Sequence, residues 1–250
     1  MPPGGIPLPR FFVPPAALDG DLITLTGESA AHARVLRLMP GEEVTLCDGA
    51  GREAETTVVS LEPGQVLLRV NQLHSSASEP HLSVGVYMGF PKADKLEHVV
   101  QKATELGAFE IVAFPCERSI SRPDAKALGK KLERWQKIAA SAAEQSGRGR
   151  IPQVLTLPSF DAAVARASQA DWAALFYEKE RDGSIASTLP PKLTTAAILT
   201  GPEGGLTEEE VAKARQAGVK VCTLGPRILR CETAPLCALS ALLYAAGELE

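Results

Sequence analysis

Two segments near the C-terminus hold the residues best placed to do chemistry. The first is Ala196-Ala-Ile-Leu-Thr200-Gly201-Pro202-Glu203-Gly204-Gly205-Leu-Thr207-Glu-Glu-Glu210. An apolar run ends there in a Gly/Pro turn, and Thr207 with Glu210 forms a capping box for a following helix. Glycines permit positive φ and let a ligand approach the backbone closely. In parallel sheets, ligands bind beyond the carboxyl ends of strands, where such a loop lies. The second segment, Leu224-Gly225-Pro226-Arg227-Ile228-Leu229-Arg230-Cys231-Glu232-Thr233, repeats the design one helix and one strand later. Arg227, Arg230 and Glu232 sit at a helix start, which favours anions. Alone, the first loop is equally well explained by a tight turn with a capped helix. The second is equally well explained by a surface ion pair between an arginine and Glu232. Together they could be two walls of one crevice. No Lys-Ser/Thr follows the glycines and their spacing is not Gly-x-Gly-x-x-Gly, so neither a triphosphate loop nor a dinucleotide fingerprint is present.

The rest of the chain must position these loops. Alternation and turn signals predict strands at Leu22–Leu25, Val44–Cys47, Glu55–Leu61 and Val66–Leu73, with one short helix at Ser29–Leu38. Short strands with one small helix suggest a compact barrel over residues 1–75. The polar stretch His74–His81 reads as a linker, and the pattern then changes. Strands are predicted at Leu82–Phe90, Phe109–Cys116, Val154–Leu157, Trp172–Tyr177, Ala196–Thr200 and Lys220–Leu224. Helices are predicted at Ala93–Leu106, Ala125–Gln145, Asp161–Ala167, Glu208–Ala217 and Thr233–Glu248. Strands alternating with helices predict an α/β domain over 76–250, with a parallel sheet covered on both faces.

Composition bounds the function. The 250 residues are 45% hydrophobic and 22% charged, the balance of a soluble globular protein. The five cysteines are odd in number and include no Cys-x-x-Cys pair, so no disulfide framework and no metal site are expected, and a cytoplasmic location fits. Residues 1–10 contain no apolar run of signal-peptide type. The apolar run near Ala234–Ala246 is shorter than the ~20 residues of a membrane span, so no membrane is expected. A net charge of −4 argues against nonspecific coating of nucleic acid. The charge is uneven: residues 1–80 carry net −5, 81–150 net +4 and 151–250 net −3. The basic clusters Lys126, Lys130, Lys131, Arg134, Lys137 and Arg148, Arg150 can attract phosphates or form a solvated helix face.

The paired loops resemble the C-terminal signature of the SPOUT methyltransferases, most closely of the RsmE family. The resemblance runs along nearly the whole chain. It includes Arg10-Phe-Phe-Val13, His32-Ala-Arg-Val-Leu-Arg37, Lys95 to Gly107 with Ala103-Thr-Glu-Leu-Gly, Trp135-Gln-Lys-Ile-Ala139, Glu144-Gln-Ser-Gly-Arg148, Leu199 to Gly205 and Leu224 to Thr233. One mild departure is Pro235 after Glu232-Thr-Ala, which the first turn of a helix tolerates.

The resemblance implies a PUA-like barrel, an α/β domain with a trefoil knot, a homodimer and methylation of a uridine N3 in small-subunit ribosomal RNA within the 30S subunit. It implies S-adenosylmethionine held by backbone groups of Leu199, Thr200, Gly201, Gly204, Leu224, Gly225, Ile228 and Leu229, with apolar side chains there sandwiching the adenine. Glu203 would hold a polar cofactor group or cap its loop, and Tyr177 and Glu178 would line the pocket or remain ordinary surface. Arg10 is the candidate to reach the target uracil, and Arg34, Arg37, Arg148 and Arg230 are candidate RNA contacts. Arg148 could instead satisfy helix-end carbonyls, and His32 could serve helix packing. Rival readings are a knotted methyltransferase acting on another RNA and a nonenzymatic RNA-binding factor. A dinucleotide oxidoreductase lacks its glycine spacing.

Overall fold

A computed structural model describes residues 8–120 and 124–249. Residues 1–7, on which most of the signal-peptide expectation falls, lie outside the described residues. The chain forms two compact units. One runs to Glu79 and takes in Ala143–Ile151; the other comprises Pro80–Ala142 and Pro152–Glu250. A single cut at residue 75 therefore misses a return of the chain: residues 143–151 belong with the first unit.

The first unit is built on a five-stranded mixed sheet of order β1-β3-β4-β5-β2. Its strands are β1 (Arg10–Phe12), β2 (Leu22–Thr26), β3 (Glu43–Cys47), β4 (Arg52–Glu62) and β5 (Gln65–Ser75). β1 lies parallel to β3, and the remaining pairs are antiparallel. The long β4–β5 hairpin has register shifts at Glu55/Thr56 and Val58/Ser60. Such bulges increase local twist and curl a sheet. Helix α1 (Gly27–Val35) packs Ala30 and Ala33 into a core with Phe11, Ile23, Leu46 and Leu68. β1 and the 3-10 turn Pro15–Asp19 were not expected from the sequence. Three residues flanked by prolines carry no readable alternation.

The second unit is an all-parallel six-stranded sheet of order β11-β9-β10-β6-β7-β8. Its strands are β6 (Ser83–Gly89), β7 (Glu110–Phe114), β8 (Gln153–Thr156), β9 (Trp172–Phe176), β10 (Thr195–Thr200) and β11 (Lys220–Cys222). Its helices are α2 (Lys95–Glu105), α3 (Ala125–Gln145), α4 (Phe160–Ala167), α5 (Ile185–Thr188), α6 (Glu208–Gln216) and α7 (Thr233–Ala245), with the end of α3 entering the first unit. β9 is buried at all five positions and β10 at five of six, the near-continuous apolar run of strands covered on both faces. Phe160, Val164, Val211 and Ala214 bring α4 and α6 onto one face, against Tyr87, Val112, Leu175 and Leu199. α7 contacts β6, β10 and α2. Among the described residues no helix is long and apolar enough to cross a membrane.

Candidate functional site

The central strands end flush. Thr200, the last residue of β10, pairs with Phe176, the last of β9, which in turn pairs with Cys222, the last of β11. Parallel strands deliver all three following loops to one edge of the sheet, so the two glycine-bearing segments meet there. Between them lies a cleft of about 340 Å³, within the usual size range of small-molecule sites. Its first wall is Thr200–Leu206 and its second is Thr223–Cys231, without Pro226. Phe176, Tyr177 and Glu178 add to the lining from the end of β9, and Ala234 from α7.

Local chemistry fixes the first wall. Thr207 accepts from the Glu210 N–H at 3.2 Å, and Glu210 accepts from the Thr207 N–H at 2.9 Å, so the predicted capping box forms. Gly205 adopts φ +69°, open to glycine without strain. At Gly204 any Cβ would stand 2.9 Å from Arg118 Cβ and 3.1 Å from its carbonyl oxygen. Arg118 donates to the carbonyls of Gly204 at 3.2 Å and Leu206 at 3.3 Å. The sequence offered no sign of this clamp, because Arg118 lies far from the loop along the chain.

The second wall is stiffened by Thr223, whose hydroxyl accepts from the Gly225 N–H at 3.1 Å. Gly225 has φ +92°. Among the described residues, the backbone N–H groups of Gly204, Leu224, Ile228 and Leu229 have no hydrogen-bond acceptor in the protein. Ile228 is 86% exposed. Unspoken-for donors beside a bare aliphatic side chain suit a ligand with a planar apolar body and polar edges. S-adenosylmethionine, whose adenine is such a body, fits this set.

Of the residues expected to hold the cofactor, Thr200, Gly201, Glu203, Gly204, Leu224, Gly225, Ile228 and Leu229 line the cleft. Leu199 is not among the lining residues, and its side chain is fully buried in the core beneath, so only the backbone role expected of it stays open. Glu203 has its carboxylate turned to loop anchorage. It accepts from the Lys92 N–H at 3.0 Å and pairs with Lys95 Nζ at 3.0 Å. Partial burial opposes ionisation of Glu203, but the hydrogen bonds from its own N–H, the Lys92 N–H and Lys95 outweigh it and hold the carboxyl below its ordinary value. Glu232 pairs not with an arginine but with Lys95, at 3.3 Å. Cys231 donates to Glu232 at 3.2 Å. Burial, reinforced by Glu232 and Glu203, pushes the Cys231 thiol up to about 12, so it is no thiolate nucleophile.

The arginines separate into two groups. Arg227 and Arg230 are exposed and line the cleft. Arg34 and Arg37 are exposed on the first unit. Arg34 donates to the Glu62 carbonyl at 2.6 Å, and Arg37 adopts φ +58°. Arg10, the residue expected to reach the target base, has a different occupation. Its guanidinium donates to Glu53 at 2.5 Å and Cys47 at 2.7 Å, with a side chain 17% exposed. Arg148, expected to contact RNA, is buried and donates to Glu79 at 2.6 Å and 3.3 Å. A buried, bidentately paired guanidinium is held back from phosphate. His32 stacks edge-on against Phe11 at 5.5 Å and pairs with Glu144 at 3.4 Å, a packing role.

Comparison with known proteins agrees with this geometry. The RNA methyltransferase domain family matches residues 78–243, and the RNA methyltransferase PUA domain family matches residues 25–71. The ribosomal RNA small subunit methyltransferase E of Bacillus subtilis (strain 168) is 40% identical over 234 residues, covering 90% of this chain and 91% of that protein. The crystal structure of the Neisseria gonorrhoeae ribosomal RNA small subunit methyltransferase E, bound to S-adenosyl methionine, superposes with a TM-score of 0.84 at 32% identity, covering 95% and 97% of the two chains. A Legionella pneumophila putative methyltransferase with bound SAM gives 0.82 at 29% identity over 96% and 98%. An all-parallel α/β unit with a two-walled cleft at its strand ends, matched over nearly the whole chain by these relatives, places the protein in the ribosomal RNA small subunit methyltransferase E family of RNA methyltransferases.

Proposed function

We propose that this chain transfers a methyl group from S-adenosylmethionine to N3 of a specific uridine in small-subunit ribosomal RNA, within the 30S subunit. The observation that carries the cofactor side is the cleft between Thr200–Leu206 and Thr223–Cys231, with its free N–H groups and exposed Ile228. The cofactor supplies an electrophilic methyl on sulfur. The protein's task is alignment of nucleophile, methyl and sulfur, which can supply much of the rate.

Uracil N3 must lose a proton, and negative charge then spreads to the flanking carbonyl oxygens. A cation at the cleft mouth stabilises that charge. Arg230 suits the task, because it is exposed and lines the cleft, whereas Arg10 is committed to Glu53. Arg34 and Arg37 on the first unit, and Lys126, Lys130 and Lys137 on α3, are exposed cations suited to phosphates. The three lysines lie i, i+4 and i+11 along α3, on one helix face. The reading includes a PUA-like barrel that holds RNA by shape and phosphate contacts, a trefoil knot, a cytoplasmic location and a homodimer. The uncharged exposed stripe Cys237, Ala241 and Tyr244 on α7 supports a second copy as partner.

Methylation of purified 30S subunits and of naked small-subunit RNA, with mapping of the product, tests this reading. The expected product is N3-methyluridine at one site with wild type, and at least tenfold less, by rough order, with Arg230→Ala. A modified base other than uridine, or transfer RNA as the preferred substrate, refutes the assignment.

A further inference from the structure

Behind the cleft, one ammonium group joins both of its walls. Lys95 Nζ lies 3.0 Å from Glu203 Oε1 on the first wall, 3.7 Å from Cys231 Sγ at the end of the second, and 3.3 Å from Oε2 of the adjoining Glu232. Lys95 sits on neither wall. It opens α2, which follows β6, the strand beside β10. The segment between β6 and α2 is shaped for the same contact. Ala93 adopts φ +52°, a left-handed conformation that costs an ordinary residue about 1–2 kcal/mol. Two residues on either side of that strain, Lys92 and Lys95, converge on one oxygen, Glu203 Oε1. At Gly89, the end of β6, a Cβ would stand 2.6 Å from Pro202 Cδ and 2.9 Å from its nitrogen, so the first wall rests directly on this segment.

Helix stability does not explain the lysine. A cation in the first turn of a helix opposes the helix dipole, and Lys95 is the first residue of α2. Glu232, by contrast, is the N-cap of α7, where negative charge is favoured. The compensation for Lys95 comes from the two carboxylates. Remove the ammonium and Glu203 and Glu232 face each other as like charges across its place.

We propose that Lys95 is a positioning residue that bridges the two walls and fixes the width of the cofactor cleft before the cofactor arrives. The inference rests on the assignment of the cleft to S-adenosylmethionine. A preformed cleft binds without the cost of ordering its loops, so the bridge acts on cofactor affinity and leaves the methyl-transfer step alone.

Calorimetric titration of the full chain with S-adenosylmethionine tests this. Lys95→Met should weaken binding about tenfold, and Lys95→Arg by no more than about threefold. Adding Glu203→Gln and Glu232→Gln to Lys95→Met should recover only part of the loss, because the repulsion is gone but the bridge is still absent. In steady-state methylation, KM for the cofactor should rise with kcat within about twofold of wild type. Wild-type affinity in Lys95→Met overturns the proposal. So does full wild-type affinity in the triple variant, which would mean that Lys95 only neutralises charge, or a fall in kcat at unchanged KM, which would mean that Lys95 touches substrate directly. Should Lys95→Met fail to fold, Glu232→Gln alone must still weaken binding at least about threefold, and no change there overturns the proposal. Gly204→Val serves as control: if it binds normally, the cleft assignment itself has failed, whereas loss in Gly204→Val with no change in Lys95→Met refutes only the bridge.

Discussion

The guanidinium of Arg118 donates to the carbonyl oxygen of Gly204 at 3.2 Å, across 86 residues of sequence. The same group reaches the Leu206 carbonyl at 3.3 Å. One exposed arginine therefore clamps the first wall of the cleft, which Lys95 also anchors through Glu203.

Arg118→Ala should raise the cofactor Kd about threefold to tenfold, while the unfolding midpoint of the chain changes little. The reason is local: the hydrogen bonds lost are to a loop at the surface, where each contributes about 1 kcal/mol. Calorimetric titration beside a urea melt checks this. Equal affinity in the two proteins would show that the wall keeps its shape without the clamp.

Gly204→Val should abolish measurable cofactor binding and leave the fold standing. Its Cβ would meet Arg118 Cβ at 2.9 Å and the Arg118 carbonyl oxygen at 3.1 Å. Part of that obstacle is backbone, so the wall must move. Overpacking of this kind costs about 1–3 kcal/mol. Circular dichroism should stay native while titration heats vanish.

Arg10→Met should destabilise the chain by about 3–5 kcal/mol, because it strands Glu53, a carboxylate with a side chain only 7% exposed. Ser76 also donates to Glu53, but a hydroxyl does not neutralise the charge. The double variant Arg10→Met/Glu53→Gln should recover most of the loss in a urea melt. If that stable double variant methylates RNA normally, Arg10 is a structural residue; loss of methylation at full stability would return Arg10 to the chemistry.

Arg37→Gly should stabilise the chain by about 1 kcal/mol and weaken RNA binding. Arg37 ends the turn after α1 at φ +58°, where glycine is unstrained. Strain kept at an exposed arginine is consistent with a functional cation. Thermal melts beside RNA affinity at fixed salt measure both effects; a more stable variant with undiminished affinity would remove Arg37 from the RNA surface.

Acidification should loosen the cleft. The Glu203 and Glu232 carboxyls are both held below their ordinary 4.5, Glu203 by hydrogen bonds and Lys95 outweighing burial, Glu232 first by its own backbone N–H. For a lowered carboxyl, the stabilisation is fully present above pH 4.5 and disappears as pH falls through the native value. Cofactor affinity should therefore be flat from about pH 6 to 8 and fall only below the ordinary carboxyl range. In Lys95→Met the sign reverses: protonating either carboxyl relieves their like-charge repulsion, so affinity should rise as pH falls. A titration series across pH with both proteins measures the two slopes, and a parallel fall in both would remove the repulsion from the account.

The sequence by itself determined the elements that set up the site. Apolar runs bounded by Gly and Pro marked β9, β10 and β11, and Thr207 with Glu210 marked the start of α6, because each signal lies within a few residues. From strands alternating with helices it followed that both glycine loops leave a parallel sheet at one edge. What the tertiary structure alone decided was the occupation of the charged side chains. In the sequence Arg10 is the candidate to reach the target base, and Arg148 a phosphate contact or a cap for helix-end carbonyls, yet Glu53 and Glu79 claim them. One of the two readings open in the sequence pairs Glu232 with a neighbouring arginine, yet its partner is Lys95, on another helix. Arg118 carried no signal at all. The physical reason is range. Turn chemistry and hydrophobic period act between neighbours in the chain, whereas an ion pair depends on which groups the folded backbone brings within about 4 Å.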